Sequence, residues 1–282
     1  MTTDTDSPGG ANGAQPLHAR ATSFGAAAGD YDRYRVGPPA EVVDRVLPAG
    51  AGAVLDLGAG TGAMTRRLVG RAARVYAVDP DPRMTELLAR GCPGVDVREG
   101  TAEDIPLPPG CVDAVVVASA WHWVDPDKAV AEVARVLRPG GTLNLVWNRR
   151  DREVPWVADL EALRLDVTGG DDWVEERIHH YLESSWLPDG SPFRNVGVQS
   201  LPWSAAMTKE EVARLLTTFH AFISAPAERK PEMLRKLAAH VEGDERIVAV
   251  DEGTGAGALV RVPMVCHVWR ATRSELTGAE RY

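Results

Sequence analysis

Val54-Leu55-Asp56-Leu57-Gly58-Ala59-Gly60-Thr61-Gly62 is an apolar run that ends in three glycines spaced by one residue. Ala63-Met64-Thr65-Arg66-Arg67-Leu68 follows with helical character. This order predicts a buried strand, a tight turn and a helix start. Glycines let the backbone take positive φ and let a ligand approach it closely. A ligand at such a turn also meets the unpaired N–H groups of a helix N-terminus. In an open parallel α/β sheet the turn after a strand lies at the carboxyl edge, where ligands bind. The stretch therefore predicts an α/β fold with its site over Gly58, Ala59, Gly60, Thr61 and Gly62.

Outward from that turn the chain alternates strand and helix patterns. Arg74 to Asp79 is the second strand and ends in an acid. Asp79 stands 23 residues after Asp56, where a carboxylate accepts from both vicinal hydroxyls of a ribose. The plainer role for Asp79 is a helix N-cap. Pro80 and Pro82 form the turn that aims it, and Met84 begins a helix within reach of an adenine face. Val95 to Gly100 is the third strand, followed by Thr101-Ala102-Glu103-Asp104. Val112 to Ala118 is the most apolar strand, as a central parallel strand should be. Ser119, Trp121, His122 and Trp123 leave it at the ligand edge. Asp127 to Leu137 is a helix that Arg138-Pro139-Gly140-Gly141 stops, and Thr142 to Trp147 is the fifth strand. Gly58-x-Gly60-x-x-Ala63 also satisfies the loose dinucleotide fingerprint, so an NAD-dependent oxidoreductase stays open.

The ends of the chain read differently. Met1 to His18 holds almost nothing apolar and lacks a basic start or an apolar h-region; residues 1–20 are expected to be a disordered tail and not a signal peptide. Tyr31, Tyr34 and Arg35 crowd together before Pro38-Pro39 and a helix from Ala40 to Leu47. Beyond Arg150, helices are expected at Val154–Leu165, Trp173–Leu182 and Pro231–Val241. Another is expected from Thr208, with Glu211 completing a capping box. Strands are expected at Val196–Trp203 and Leu259–Trp269.

Asp56-x-Gly58-x-Gly60-x-Gly62 resembles motif I of the class I S-adenosylmethionine (SAM) methyltransferases. The acid-ended second strand, the Ala102-Glu103-Asp104 loop and Leu137-Arg138-Pro139-Gly140-Gly141 resemble the family's later motifs, in order. The likeness covers Arg33 to Asn148 and is closest to the type-11 small-molecule group. Trp121-His122-Trp123 and Trp147-Asn148-Arg149 further resemble its trans-aconitate methyltransferase-like branch. The resemblance implies a doubly wound, mostly parallel, seven-stranded Rossmann-like α/β sheet with an antiparallel last strand. It implies SAM as cofactor, with S-adenosylhomocysteine as product. Asp56 would help hold the cofactor ammonium, Ala102 and Glu103 would lie beside adenine, and Tyr31 and Arg35 would close over the site as an N-terminal cap. Arg35 would meet the cofactor carboxylate. The expected layout is a cap at 21–48, a SAM-binding core at 49–150, and remaining strands plus a helical substrate lid at 151–282.

Methyl transfer from a sulfonium is an in-line displacement, so orientation supplies much of the rate. A hydroxyl or carbon acceptor needs a base, whereas a carboxylate needs none. His122 is the candidate base. Trp121, Trp123 and Trp147 are candidates to wall the acceptor, and Arg149 and Arg150 to clamp an anionic one. Each of these residues also has a structural role open to it, in the core or in solvent. A SAM-binding protein that does not methylate is a further alternative.

The composition limits the partners. The 282 residues carry a net charge of −9, with an estimated pI of about 5.3, which argues against a broad nucleic-acid face. The most apolar run is too short to span a membrane. Cys92, Cys111 and Cys266 show no metal-ligand spacing, so no metal is expected and the thiols suit a cytoplasmic protein. The expected partner is a small-molecule acceptor, on a monomer or homodimer of bacterial origin.

Overall fold

The computed structural model describes residues 22–170, 173–183, 186–251, 253 and 257–275; the tail expected at 1–20 lies outside them. A 3₁₀ turn at Thr22–Ala27 leads into α1 (Ala28–Tyr34), and another at Ala40–Val42 leads into α2 (Val43–Val46). The core then alternates β1 (Ala53–Leu57), α3 (Thr65–Leu68), β2 (Arg74–Asp79), α4 (Pro82–Gly91), β3 (Asp96–Glu99) and β4 (Val112–Ala118). A 3₁₀ turn at Trp121–Trp123 precedes α5 (Pro126–Val136) and β5 (Leu137–Arg150). After it come α6 (Pro155–Thr168), α7 (Trp173–Glu183), β6 (Phe193–Met207), α8 (Lys209–Leu216), α9 (His220–Ile223), α10 (Lys230–Gly243), β7 (Ala249–Asp251) and β8 (Ala258–Arg273).

The strand order is β3-β2-β1-β4-β5-β8-β6, with β7 paired to β8 outside this path. Strands β1 to β5 are parallel, and β8 runs antiparallel to both β5 and β6. This is the expected doubly wound, Rossmann-like sheet with its last strand reversed. Short β7 raises the strand number among the described residues from seven to eight.

Both faces of the central strands are covered, which explains their unbroken apolar runs. On one face Leu55, Val115, Val117, Leu143 and Leu145 meet Val130 and Val133 of α5 and Ile178 and Tyr181 of α7. On the other, Val54, Ala114, Val116 and Val146 meet Val42, Val43 and Val46 near α2 and Leu68 of α3. The ends of β6 and β8 carry a separate apolar cluster under α6, α8 and α10. There Leu160, Leu216 and Leu237 are fully buried, each contributing about 1.5–3 kcal/mol. Thr208 starts α8 with the expected capping box: its Oγ1 accepts from Glu211 N–H at 3.1 Å, and its own N–H donates to Glu211 Oε2 at 2.8 Å.

Two local expectations need correction. The helix after the glycine turn is only four residues long and starts at Thr65, with Ala63 and Met64 still part of the turn that follows Gly62 at φ 90°. Strand β5 starts at Leu137 and not at Thr142, with an irregularity opposite Val112 and Ala114 that absorbs Pro139-Gly140-Gly141. Gly141 sits tightly there: a Cβ on it would lie 2.9 Å from the carbonyl oxygens of both Arg138 and Asp113. Gly141→Ala should lower unfolding stability by about 1–3 kcal/mol, the usual cost of overpacking. Denaturant titration of both proteins checks this, with an unchanged midpoint as the contrary result.

Candidate active site

The carboxyl edge of β1 builds the floor. Gly58, Gly60 and Gly62 adopt φ values of 69°, 54° and 90°, a region that suits glycine. The loop is tied to the neighbouring strand, because the N–H groups of Gly58 and Ala59 both donate to Val78 O, at 2.8 and 3.1 Å. A Cβ on Gly58 would stand 2.6 Å from Ala120 Cβ, whereas one on Gly60 would meet nothing within 4 Å. The space over Gly60 belongs to a cavity of about 730 Å³, within the range of small-molecule sites. Leu57 to Thr61 line it. Asp56 and Gly62 do not. Asp56 is fully buried, its Oδ2 accepting from Thr65 Oγ1 at 2.6 Å and its Oδ1 lacking a partner. Burial raises its pKa to about 7, against the opposing Thr65 bond. Gly62 faces Leu88 of α4, at 3.0 Å from a would-be Cβ. Both support the loop from beneath.

Strands β2 and β3 supply the acidic end. Asp79 lines the cavity, with Oδ2 accepting from Gly60 N–H at 2.8 Å and Oδ1 from Asp81 N–H at 3.0 Å. Burial raises its pKa, and these two bonds oppose the rise. The N-cap of α4 is Asp81 and not Asp79. Pro80, Met84, Thr101, Ala102 and Glu103 line the same end. Glu103 Oε1 accepts from Asp125 N–H at 2.9 Å, which fixes the loop after β3 against the Trp121–Trp123 turn.

At the end of β4, Ser119 lines the cavity with φ 53°, the one non-glycine residue in that region among those described. Such strain concentrates at functional turns. Trp121 does not reach the cavity. It is fully buried in the core against Trp186, with ring centroids 5.2 Å apart, so its expected place in the substrate wall is corrected. Trp123 does line the cavity, edge-on to Trp173 at 5.4 Å and to Phe24 at 5.7 Å. His122, the candidate base, lines it as well. Burial, with the guanidiniums of Arg177, Arg35 and Arg149 around it, lowers its pKa to about 3. The imidazole stands neutral near pH 7, with Nδ1 unpaired.

Strand β5 and the helical insertion supply the cationic end. Trp147 is buried at the cavity wall, stacked on Tyr181, with Nε1 unpaired. Arg149 pairs with Glu175 of α7. Arg150 pairs with Glu161 of α6, which Arg164 also holds at 2.9 Å. Burial works against ionisation of Glu161, but Arg150 and Arg164 hold its pKa at about 2. Burial also pushes the Arg150 guanidinium below its ordinary value, despite Glu161. Arg35 of the cap lines the cavity beside Tyr31 and donates to Thr218 O at 3.3 Å.

The fold thus gathers Tyr31, Arg35, the loop, Asp79, Met84, Glu103, Ser119, His122, Trp123, Trp147 and Arg149 around one cavity. Phe24, Arg152, Glu161, Arg164, Trp173, Glu175 and Phe219 also line it and were not singled out from sequence. Glu161 and Arg164 carried a usable signal. They interrupt the stripe Val157, Leu160, Val167 on one face of α6, where a charged pair must find partners.

Comparison with known proteins agrees with this geometry. A family profile described as a methyltransferase domain matches residues 55–145. An uncharacterized methyltransferase of Mycobacterium tuberculosis is 44% identical over 216 residues, which covers 76% of this chain and 84% of the relative. An uncharacterized methyltransferase-like protein of Schizosaccharomyces pombe is 33% identical over 219 residues, covering 75% and 79%. A solved structure from Anaeromyxobacter dehalogenans, described as a candidate type II methyltransferase, matches with a TM-score of 0.56 at 25% identity, over 85% of this chain and 98% of that one.

The loop and Asp79 fit SAM: the backbone is open above Gly60, and a carboxylate lies in reach of a ribose beside it. Asp79→Asn should weaken S-adenosylhomocysteine binding by about 1–3 kcal/mol, the worth of a charged hydrogen bond. Calorimetric titration checks this, and unchanged affinity removes Asp79 from the site.

Proposed function

The chain belongs to the class I SAM-dependent methyltransferase family, and from that premise we propose that it esterifies a carboxylate on a small acidic molecule. An NAD-dependent oxidoreductase is not favoured, since the relatives are methyltransferases. The feature that carries the proposal is a cavity end lined by Arg35, Arg149, Arg150, Arg152 and Arg164, beside a buried, neutral His122 whose pKa is held well below its ordinary value.

Bound SAM would supply an electrophilic methyl carbon that a carboxylate oxygen could take as the carbon–sulfur bond breaks toward sulfur, which would leave a neutral ester and a thioether. No proton has to leave, so the chain need only bind, aim and desolvate. Gly58 to Thr61, Asp79, Met84 and Glu103 are the residues proposed to hold the cofactor. Arg149 and Arg152 would draw the acceptor's negative charge to the end of β5. The neutral His122 ring would donate one hydrogen bond to the acceptor without taking its proton. Phe24, Trp123 and Trp173 give the cavity an aromatic side that suits an apolar portion of the acceptor. In this reading residues of α6, α8 and α9 act as a lid, and the chain falls in the trans-aconitate methyltransferase-like branch. Among the described residues no helix is long and apolar enough to cross a membrane.

A pH profile tests this. With SAM saturating, turnover on a carboxylate should be flat from about pH 6 to 9, because the acceptor is already ionised and a His122 pKa of about 3 lies below that window. His122→Asn should lower kcat by less than about tenfold, against the roughly 10²–10⁴-fold that losing a general base costs. A rising limb near neutrality that vanishes in the variant would instead mark a base acting on a hydroxyl or carbon acceptor.

A further inference from the structure

We propose that a second cavity, on a different face of α7 from the methyl-transfer cavity, binds a small aryl carboxylate or sulfonate. The ligand class follows from that cavity's own residues, whichever acceptor the chain methylates.

Helix α7 divides its side chains between two cavities. Val174, Glu175 and Ile178 line the methyl-transfer cavity. Arg177, His180 and Tyr181 line the second, which has a volume of about 460 Å³, within the range of small-molecule sites. Helical spacing places them on the same side as Trp173, which lines both cavities and stands edge-on to Trp123 at 5.4 Å. Pro126, at the start of α5, and Trp186, between α7 and β6, complete the walls.

Arg177 supplies the charge. Its guanidinium carbon lies 5.7 Å from the ring centroids of both Trp173 and Tyr181, and its Nη2 donates to Tyr181 Oη at 2.8 Å. Two aromatic rings thus hold the cation in place. Burial raises the Tyr181 pKa, so the phenol is neutral and brings no counter-charge. Among the described residues Arg177 forms no ion pair, and its buried Nε–H has no hydrogen-bond partner. The indole Nε1–H of Trp186, a residue 9% exposed, lacks one too. Buried donors without acceptors are costly, and an anion in this cavity would bring the acceptors. Glu176 also lines the cavity but is exposed, where water screens its charge.

The walls specify the rest of the ligand. Trp173, Tyr181, Trp186 and Pro126 present flat apolar surface, with the Tyr181 and Trp186 rings 5.2 Å apart. Inorganic phosphate or sulfate would answer the cation and leave that surface wet. A neutral arene would cover the surface and leave the donors unmet. An aromatic ring carrying one acidic group answers both.

The test is a crystal of the full chain with S-adenosylhomocysteine, soaked with 4-bromobenzenesulfonate and measured at the bromine absorption edge. An anomalous peak in the second cavity, beside Trp173 and Trp186, is expected, whether or not the larger cavity also holds one. A peak confined to the larger cavity, or none, overturns the site. Calorimetric titration of the chain saturated with S-adenosylhomocysteine compares the same sulfonate with its neutral isostere, 4-bromobenzenesulfonamide. The sulfonate should bind about tenfold or more tightly, as a charge-assisted contact predicts. In Arg177→Met the number of sulfonate ions bound per chain should fall by about one, while S-adenosylhomocysteine affinity changes less than about threefold. Trp186→Phe keeps a ring and removes the N–H; it should weaken the same site by roughly three- to tenfold, the worth of one hydrogen bond. That variant covers the case in which Arg177→Met fails to fold. Equal affinity for sulfonate and sulfonamide overturns the site, as does an unchanged stoichiometry in Arg177→Met. A bromine peak without measurable binding in solution overturns it as well.

Discussion

The Thr65 hydroxyl bonds the buried Asp56 carboxyl group across the glycine loop, and the site depends on that closure. It ties the last turn of β1 to the first residue of α3 and leaves Gly58, Ala59 and Gly60 projecting above. Val78 O takes two backbone N–H groups of the loop, and Asp79 takes a third. The loop is thus held on two sides by groups of the neighbouring strand and helix. Preorganisation of this kind lowers the entropy lost on binding. It also explains why Asp56 is buried with a raised pKa: its work is internal to the loop.

Above this floor the cavity is polarised along the sheet. The β2 and β3 edges bring carboxylates suited to the hydroxyl groups of a nucleoside. The β5 edge and the insertion bring guanidiniums suited to anions. In the proposed reaction the methyl group passes between these ends, close to β4, where Ser119 takes its left-handed conformation and burial holds the His122 pKa low. A sulfonium and a carboxylate that meet there neutralise each other as the bond forms. Low local polarity favours that loss of charge. Burial of His122 among arginines and the proposed carboxylate chemistry both fit one electrostatic arrangement.

Much of the fold was legible because its signals are local. The strand–glycine turn, the acid at the end of β2, the apolar run of β4 and the Thr208 capping box each rest on neighbouring residues. The positions of Asp79 and Met84 followed from the order of the strands, since a parallel sheet brings all its carboxyl edges together, and those of Ala102 and Glu103 from the family resemblance. The failures come from contacts distant in sequence. Trp121 and Trp123 are two residues apart, yet one enters the core against Trp186 and the other faces the cavity. The His122 pKa is set by burial and by arginines from the cap, β5 and α7, none of them adjacent to it in the chain. Phe219 was legible only as an apolar residue following α8. Its ring contacts depend on where Arg35, Arg150 and Arg164 fold around it.

The chemical identity of the transferred methyl group tests the central claim most directly. The purified full chain would be incubated with methyl-labelled SAM and a panel of aliphatic and aromatic carboxylic acids, and the products then treated with mild alkali. A methyl ester releases its label as volatile methanol, and that is the expected result. Label that resists alkali would place the methyl group on nitrogen, carbon or an ether oxygen. That result would contradict carboxylate esterification while leaving the cofactor site intact.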